Sequence, residues 1–292
     1  MLKNRRTEIT VAFILVAPFV LIYAWMFIYP TVQMVRLSFT NSPLIGAGKF
    51  VGFKNYIRMF ADPTFRRSVW NTAYFVLLTV VPGTVVALAI ALMVSRLRGF
   101  AQSLILSAFF LPYVLPVTVV YLIWDWLTNV QFGMLQGVLT FFAGHPVNLW
   151  RTIPLFMPGV AVITIWWTNG FSILLFLAGL RNIPQELYEA AALDGATRWQ
   201  MLTRITLPLL WPVTTLCLTI QLILQLKIFD QVYLFAMGGR TQATMVMVQY
   251  IYEQAFQKNA GGYSATLAVA LFVVVVVFSA LQYQILRIRG VR

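Results

Sequence analysis

The chain has 292 residues, of which 60% are hydrophobic and only 10% charged, and its mean hydropathy is +0.82. A water-soluble domain carries about 25% charged residues to solvate its surface, so this deficit excludes a soluble fold and indicates an integral membrane protein. The formal net charge of +13 does not signal nucleic-acid binding, because the basic residues gather at the ends of apolar runs instead of alternating with aromatics.

A helix needs about 20 consecutive apolar residues to cross a bilayer. Six stretches qualify: 9–30, 69–94, 102–127, 156–180, 206–235 and 264–286. The first follows Lys3, Arg5 and Arg6, as a signal peptide would. It is too long for one, however, and ends at Tyr29-Pro30 without a small-residue cleavage site, so it reads as a retained helix. The outer segment 31–68 is too short and too polar to build its own core. The expected fold class is all-α, a polytopic membrane protein with six transmembrane helices in one domain over 1–292.

Six spans place both termini on one side. With the termini in the cytoplasm, the inner segments (1–8, 95–101, 181–205, 287–292) hold 11 Lys and Arg in 46 residues. The outer segments (31–68, 128–155, 236–263) hold 9 in 94, so the positive-inside bias selects cytoplasmic termini. One cysteine (Cys217) and one histidine (His145) exclude a disulfide framework and any ordinary zinc or haem site. The only Gly-Lys pair, Gly48-Lys49, lacks the upstream glycine and following hydroxyl of a P-loop, so no nucleotide site is expected on this chain.

The most informative stretch lies inside, between the fourth and fifth spans. It reads Glu189-Ala-Ala-Ala-Leu-Asp194-Gly195-Ala196, followed by Ile205-Thr-Leu-Pro208. Pro184 predicts a short helix over 185–193, since proline starts helices well. Asp194 suits the N-cap of the next helix, and Gly195 permits the turn between the two. Small Ala190 and Ala191 let a neighbour approach closely, and Pro208 opens the fifth span. Two readings stay open from these residues alone: an ordinary capped loop, or a docking helix-turn-helix with Glu189 as its prominent acid.

The spacing E-A-A, three residues, G, nine residues, I-x-L-P resembles the signature of ABC importer permeases, with Glu189, Gly195, Ile205 and Pro208 at its defining positions. The wider context is similar to the carbohydrate and glycerol-phosphate branch and its first-permease subtype. Supporting pieces are Tyr29-Pro30, Ser38-Phe39-Thr40, Phe50-Val-Gly-Phe-Lys-Asn-Tyr56, Asn71-Thr72, Phe229-Asp-Gln-Val-Tyr233 and Gly238-Gly239. Departures are Leu202, where an aromatic is common, and Arg240, where proline usually follows the paired glycines.

The resemblance implies a type I ABC importer permease fold in a bacterial cytoplasmic membrane. It implies a second homologous permease, two ATPase subunits and an extracytoplasmic solute-binding protein as partners, besides membrane lipid. ATP and Mg would then act on the ATPase chains, with no cofactor on this one. Glu189, Ala190, Ala191, Asp194 and Gly195 would form the ATPase coupling segment.

Polar groups at membrane depth are costly and therefore informative. In the fourth span, Thr164, Trp167, Thr168 and Phe171 fall on one helical face. Rings stack on the C–H faces of a sugar while hydroxyls bond its hydroxyls. In the fifth span, Gln221 and Gln225 are one turn apart, with Ile228 beyond them. These faces resemble the positions that contact sugar in the maltose permease. The other reading has Trp167 and Phe171 facing lipid and the glutamines bonding a neighbouring helix; Trp166 and Trp167 cannot both face a pore. Asp125, Lys227 and Asp230 sit near the outer ends of their spans; Lys227 and Asp230, at i and i+3, are expected to pair with each other, the other reading being a gate or ligand contact.

A secondary transporter would need an internal repeat, and none is visible. An intramembrane enzyme would need paired acids, metal ligands or a Ser/His arrangement at depth, and none occurs. Sugar or a sugar derivative is the expected solute, with glycerol phosphate or an acidic sugar as the alternative suggested by the basic outer segment.

Overall fold

The computed structural model of the chain describes residues 2–236 and 243–290; Gly238-Gly239 and Arg240 lie outside the described residues. Among the described residues every regular element is helical, apart from one isolated antiparallel bridge between Thr40 and Phe50. Four segments are long and apolar enough to cross a bilayer: Phe13–Ser38, Pro63–Val94, Ile153–Arg181 and Gly261–Gln284. Two bent helix pairs also qualify, Gly99–Val114 with Val117–Leu127 at 104° and Arg198–Leu209 with Trp211–Leu226 at 60°. Taking each pair as one crossing gives six.

The breaks follow from proline. Leu115, between α5 (Gly99–Val114) and α6 (Val117–Leu127), is extended at φ −69°, ψ 138° because the ring of Pro116 disfavours a helical residue before it. The second break lies between α11 (Leu207–Leu209) and α12 (Trp211–Leu226). There a π-turn at Leu202–Thr206 precedes Pro208 and Pro212, which withhold two N–H donors in succession. The first helix behaves otherwise. It runs as α1 (Leu2–Tyr23), a π-turn (Ala24–Ile28) and α2 (Tyr29–Ser38), continuing past Pro30 where the sequence predicts its end. Pro30 is the second residue of α2, just beyond the π-turn, which already reorganises the hydrogen bonds that proline would interrupt.

The chain forms two compact units, Met1–Asp62 with Ile251–Phe272, and Pro63–Tyr250 with Val273–Arg292. In the first unit the outer segment forms a hydrogen-bonded clasp. Asn55, buried on α3 (Lys54–Ala61), donates from Nδ2 to the carbonyls of Ser38 and Thr40 at 2.9 and 2.8 Å. Thr266 Oγ1 also donates to the Ser38 carbonyl, at 3.0 Å, and Ser38 Oγ pairs with the Tyr56 hydroxyl at 2.7 Å. The Phe39 ring meets Phe50, Phe53 and Tyr56. The Ser38-Phe39-Thr40 and Phe50–Tyr56 motifs are thus the two jaws of one clasp.

The second unit is the helical bundle. α8 (Ile153–Arg181) packs along α4 (Pro63–Val94), α5 and α12. One cluster gathers Phe75, Val120, Phe156, Val160, Ile228 and Phe235, and a second gathers Ala87, Ala91, Ile173, Phe176 and Cys217. Lipid is as apolar as leucine, so close packing holds these helices together rather than water exclusion. Gly170 illustrates it: a Cβ there would collide with the backbone of Phe109 and Phe110 on α5. Asn71 Nδ2 donates to the carbonyls of Ala243 and Met245, at 2.9 and 2.8 Å, and Thr72 Oγ1 accepts from the Met247 amide at 3.0 Å. The Asn71-Thr72 motif therefore anchors the stretch leading into α14 (Met247–Tyr252).

Candidate solute path and coupling segment

α9 spans Gln185–Leu193, directly after Pro184, the range expected from the sequence. Its end is a Schellman motif. The Ala196 amide donates to Ala191 O at 2.9 Å and the Gly195 amide to Ala192 O at 3.1 Å, with Gly195 in the left-handed region at φ +75°. Asp194 is the C-cap of α9 and not the N-cap of the helix that follows. That role falls to Thr197, whose hydroxyl accepts from the Gln200 amide at 3.3 Å while Gln200 Oε1 accepts from the Thr197 amide at 2.7 Å. The Thr-x-x-Gln spacing of this capping box was present in the sequence, and the more prominent acid at 194 obscured it.

No residue of α9 is buried. Leu193 is 90% exposed, and Glu189 is exposed with its Oε1 accepting from Gln185 Nε2 at 2.9 Å. Ala190 is exposed and Ala191 half-buried. One bond ties the helix to the fifth crossing, Tyr188 OH with Thr206 Oγ1 at 2.8 Å. α9 is therefore a small, held platform that leaves an acid, an alanine and a leucine uncovered.

Inside the bundle, Gln221 and Gln225 are both buried, 6% and 4% exposed, despite carrying amides at membrane depth. They are joined: Gln225 Nε2 donates to Gln221 Oε1 at 3.2 Å, and Gln221 Nε2 donates to Ser172 Oγ at 3.1 Å. This ladder links α12 to α8. Ser172 was not singled out in the sequence, although it extends the Thr164, Thr168 series by one further helical turn. The hydroxyls of Thr164 and Thr168 donate back to Val160 O and Thr164 O, each at 2.8 Å. Such back-bonding uses their protons and leaves their lone pairs free to accept.

The aromatic members of the face have other neighbours. Trp167 Nε1 donates to the Leu115 carbonyl at 3.1 Å, supplying a donor at the break in the third crossing. Phe171 is half-buried and stacks on Tyr113 with centroids 6.0 Å apart. Trp166 turns away and meets Trp124 edge-on at 5.5 Å. Ile228 lies in the apolar core with Phe75 and Val160. Asn169, which the sequence did not flag, is 3% exposed, and neither of its amide atoms has a hydrogen-bond partner. Lys227 and Asp230 do not pair: the helix stops at Leu226, so the i, i+3 geometry is lost and both side chains are exposed. An ion pair does join Lys258 to Glu253, at 2.7 Å.

Residues 83–289 match the family described as the binding-protein-dependent transport system inner membrane component. The chain belongs to that family. The Glu189–Gly195 segment is the permease's E-A-A motif. The permease is 32% identical over 279 residues, 94% of this chain and 90% of the relative, to the sulfoquinovosyl glycerol transport system permease protein SmoG of Agrobacterium fabrum. It is 30% identical to the arabinooligosaccharides transport system permease protein AraP of Bacillus subtilis, over 94% of this chain and 87% of the relative. Its fold matches a chain of a bacterial ABC transporter involved in import of the acidic polysaccharide alginate, with a TM-score of 0.86 and 22% identity over 98% of both chains. At that identity the match establishes the fold alone, that of a type I ABC importer permease.

Proposed function

We propose that this permease and a second, homologous permease form a pore that carries a carbohydrate or carbohydrate derivative inward across a bacterial cytoplasmic membrane. ATP hydrolysis with Mg on two separate ATPase chains drives the cycle, and an extracytoplasmic binding protein delivers the solute. Both termini face the cytoplasm, as the charge distribution favours.

The solute class rests on one observation, the buried Ser172–Gln221–Gln225 ladder. Its members and the nearby Thr164 and Thr168 are uncharged donors and acceptors. Such groups suit hydroxyls that exchange one hydrogen bond for another, and a polyol presents many. Phe171 with Tyr113 offers an aromatic surface for the C–H face of a sugar ring. The names of SmoG and AraP agree with the class. Coupling falls to α9: an exposed Glu189, Ala190 and Leu193 are the kind of surface a partner covers, and Gly195 sets its exit angle.

An anionic solute is the second reading. Segment 31–68 carries six cations and one acid, Asp62, whose Oδ2 accepts from the Tyr263 hydroxyl at 2.7 Å. Both readings share one test: purify the tagged permease from its native host and reconstitute what accompanies it in proteoliposomes. Uptake should require internal ATP and loaded external binding protein. Uptake by this chain alone, without an ATPase, would overturn the proposal.

A further inference from the structure

At the end of the bundle that carries α9, a cavity of about 390 Å³ opens between the last turn of α4, the end of α8 and the start of the fifth crossing. Two guanidinium groups line it, Arg96 from beyond α4 and Arg198 from α10 (Arg198–Met201). Neither makes an ion pair or side-chain hydrogen bond among the described residues. No carboxylate lines the cavity. Glu189, next to the lining residue Tyr188, is engaged by Gln185 on its own helix.

The hydroxyls of the cavity are already spent as donors. Ser95 Oγ donates to Leu92 O at 2.8 Å. Thr206 Oγ1 donates to Met201 O at 3.3 Å, so the 2.8 Å contact between Tyr188 and Thr206 takes the tyrosine proton. The charged donors are the two guanidiniums, whose planar forks match a multi-oxygen anion such as phosphate. The remaining wall is apolar: Leu92, Leu180 and Leu202 line it, beside Trp199, whose ring is 70% exposed. Tryptophan at the rim and leucines beneath are the composition of a membrane–water boundary.

Both arginines are exposed, and an anion that reached both would compensate two like charges at once. We propose that this cavity binds a phosphate ester, with Arg96 and Arg198 holding its oxygens and the leucine wall taking the apolar part of an anionic phospholipid. Basic pockets between membrane helices are suited to lipid headgroups in this way. The site is distinct from the solute ladder and needs no solute to fill.

Native mass spectrometry of the purified permease, with whatever subunits accompany it, tests the site by titration with phosphatidylglycerol and with phosphatidylcholine. The wild type should prefer phosphatidylglycerol, and Arg96→Gln/Arg198→Gln should weaken that binding by about tenfold, the scale of losing charge-assisted contacts. Arg66→Gln/Arg67→Gln, exposed cations elsewhere, should leave it unchanged. Each single variant, Arg96→Gln or Arg198→Gln, should give a partial loss and serves if the double variant does not assemble. Inorganic phosphate in excess separates the sources: displacement of the lipid in the wild type but not in the double variant assigns the site to free phosphate, and no displacement assigns it to lipid. Equal phosphatidylglycerol binding in the wild type and all three variants, with no phosphate effect, overturns the site.

Discussion

The indole N–H of Trp167 donates to the carbonyl of Leu115, 52 residues away in the chain, at 3.1 Å. That carbonyl sits at the break where Pro116 ends α5, and broken backbone at membrane depth persists only where protein groups satisfy it. A residue on the candidate solute face thus also holds the bent crossing in shape.

Replacing Trp167 with Phe keeps a ring on the face and removes only the donor. The unsatisfied Leu115 carbonyl should cost about 1–3 kcal/mol, lowering the unfolding temperature of the purified complex by several degrees. Solute affinity in the same variant should change little. A large fall in affinity at unchanged thermal stability would assign Trp167 to the solute instead of the break.

Gln225→Leu removes the outer rung of the ladder and leaves Gln221 bonded to Ser172, whereas Gln221→Leu severs both bonds. Both variants put an apolar side chain into a buried site and should fold. Uptake into proteoliposomes should fall at least about tenfold in each, equivalent to roughly 1.4 kcal/mol of lost solute interaction. ATPase stimulation by the loaded binding protein should largely persist. Normal uptake in both would mean that the ladder only packs α12 against α8.

Gly195 closes the Schellman motif at φ +75°, where a β-branched residue is strained. Gly195→Val should therefore lose about 1–2 kcal/mol locally and reorient α9, while the permease still reaches the membrane in normal amount. The measurement is recovery of the ATPase with the tagged permease, together with solute-stimulated hydrolysis. Unchanged transport at normal expression would remove α9 from the coupling role. Glu189→Ala should do less, since an exposed polar contact contributes about 1 kcal/mol or below.

The second chain of the pore should be a different polypeptide with its own E-A-A segment. Intact-mass analysis of the transport-competent complex should find one copy of this chain beside it. Two copies of this chain and no other permease would contradict that pairing.

Local chemistry was legible in the sequence. The helix over 185–193 follows from Pro184, and the turn at Gly195 from the conformational freedom that glycine alone has at low cost. The apolar runs declare the crossings because each must satisfy its own backbone in lipid, a requirement that acts within a single segment. Spacing even put Gln221 and Gln225 on one side of a helix. What lay beyond it was every property that depends on how one helix is rotated against another. Ser172 completes the ladder only because α8 turns that face to α12, and Trp167 reaches Leu115 only because the third crossing bends through 104° beside it. Lys227 and Asp230 have pairing distance in a continuous helix, yet the helix ends at Leu226 and they separate. A chain's periodicity states which residues share a face; close packing among several helices, settled all at once, decides what that face meets.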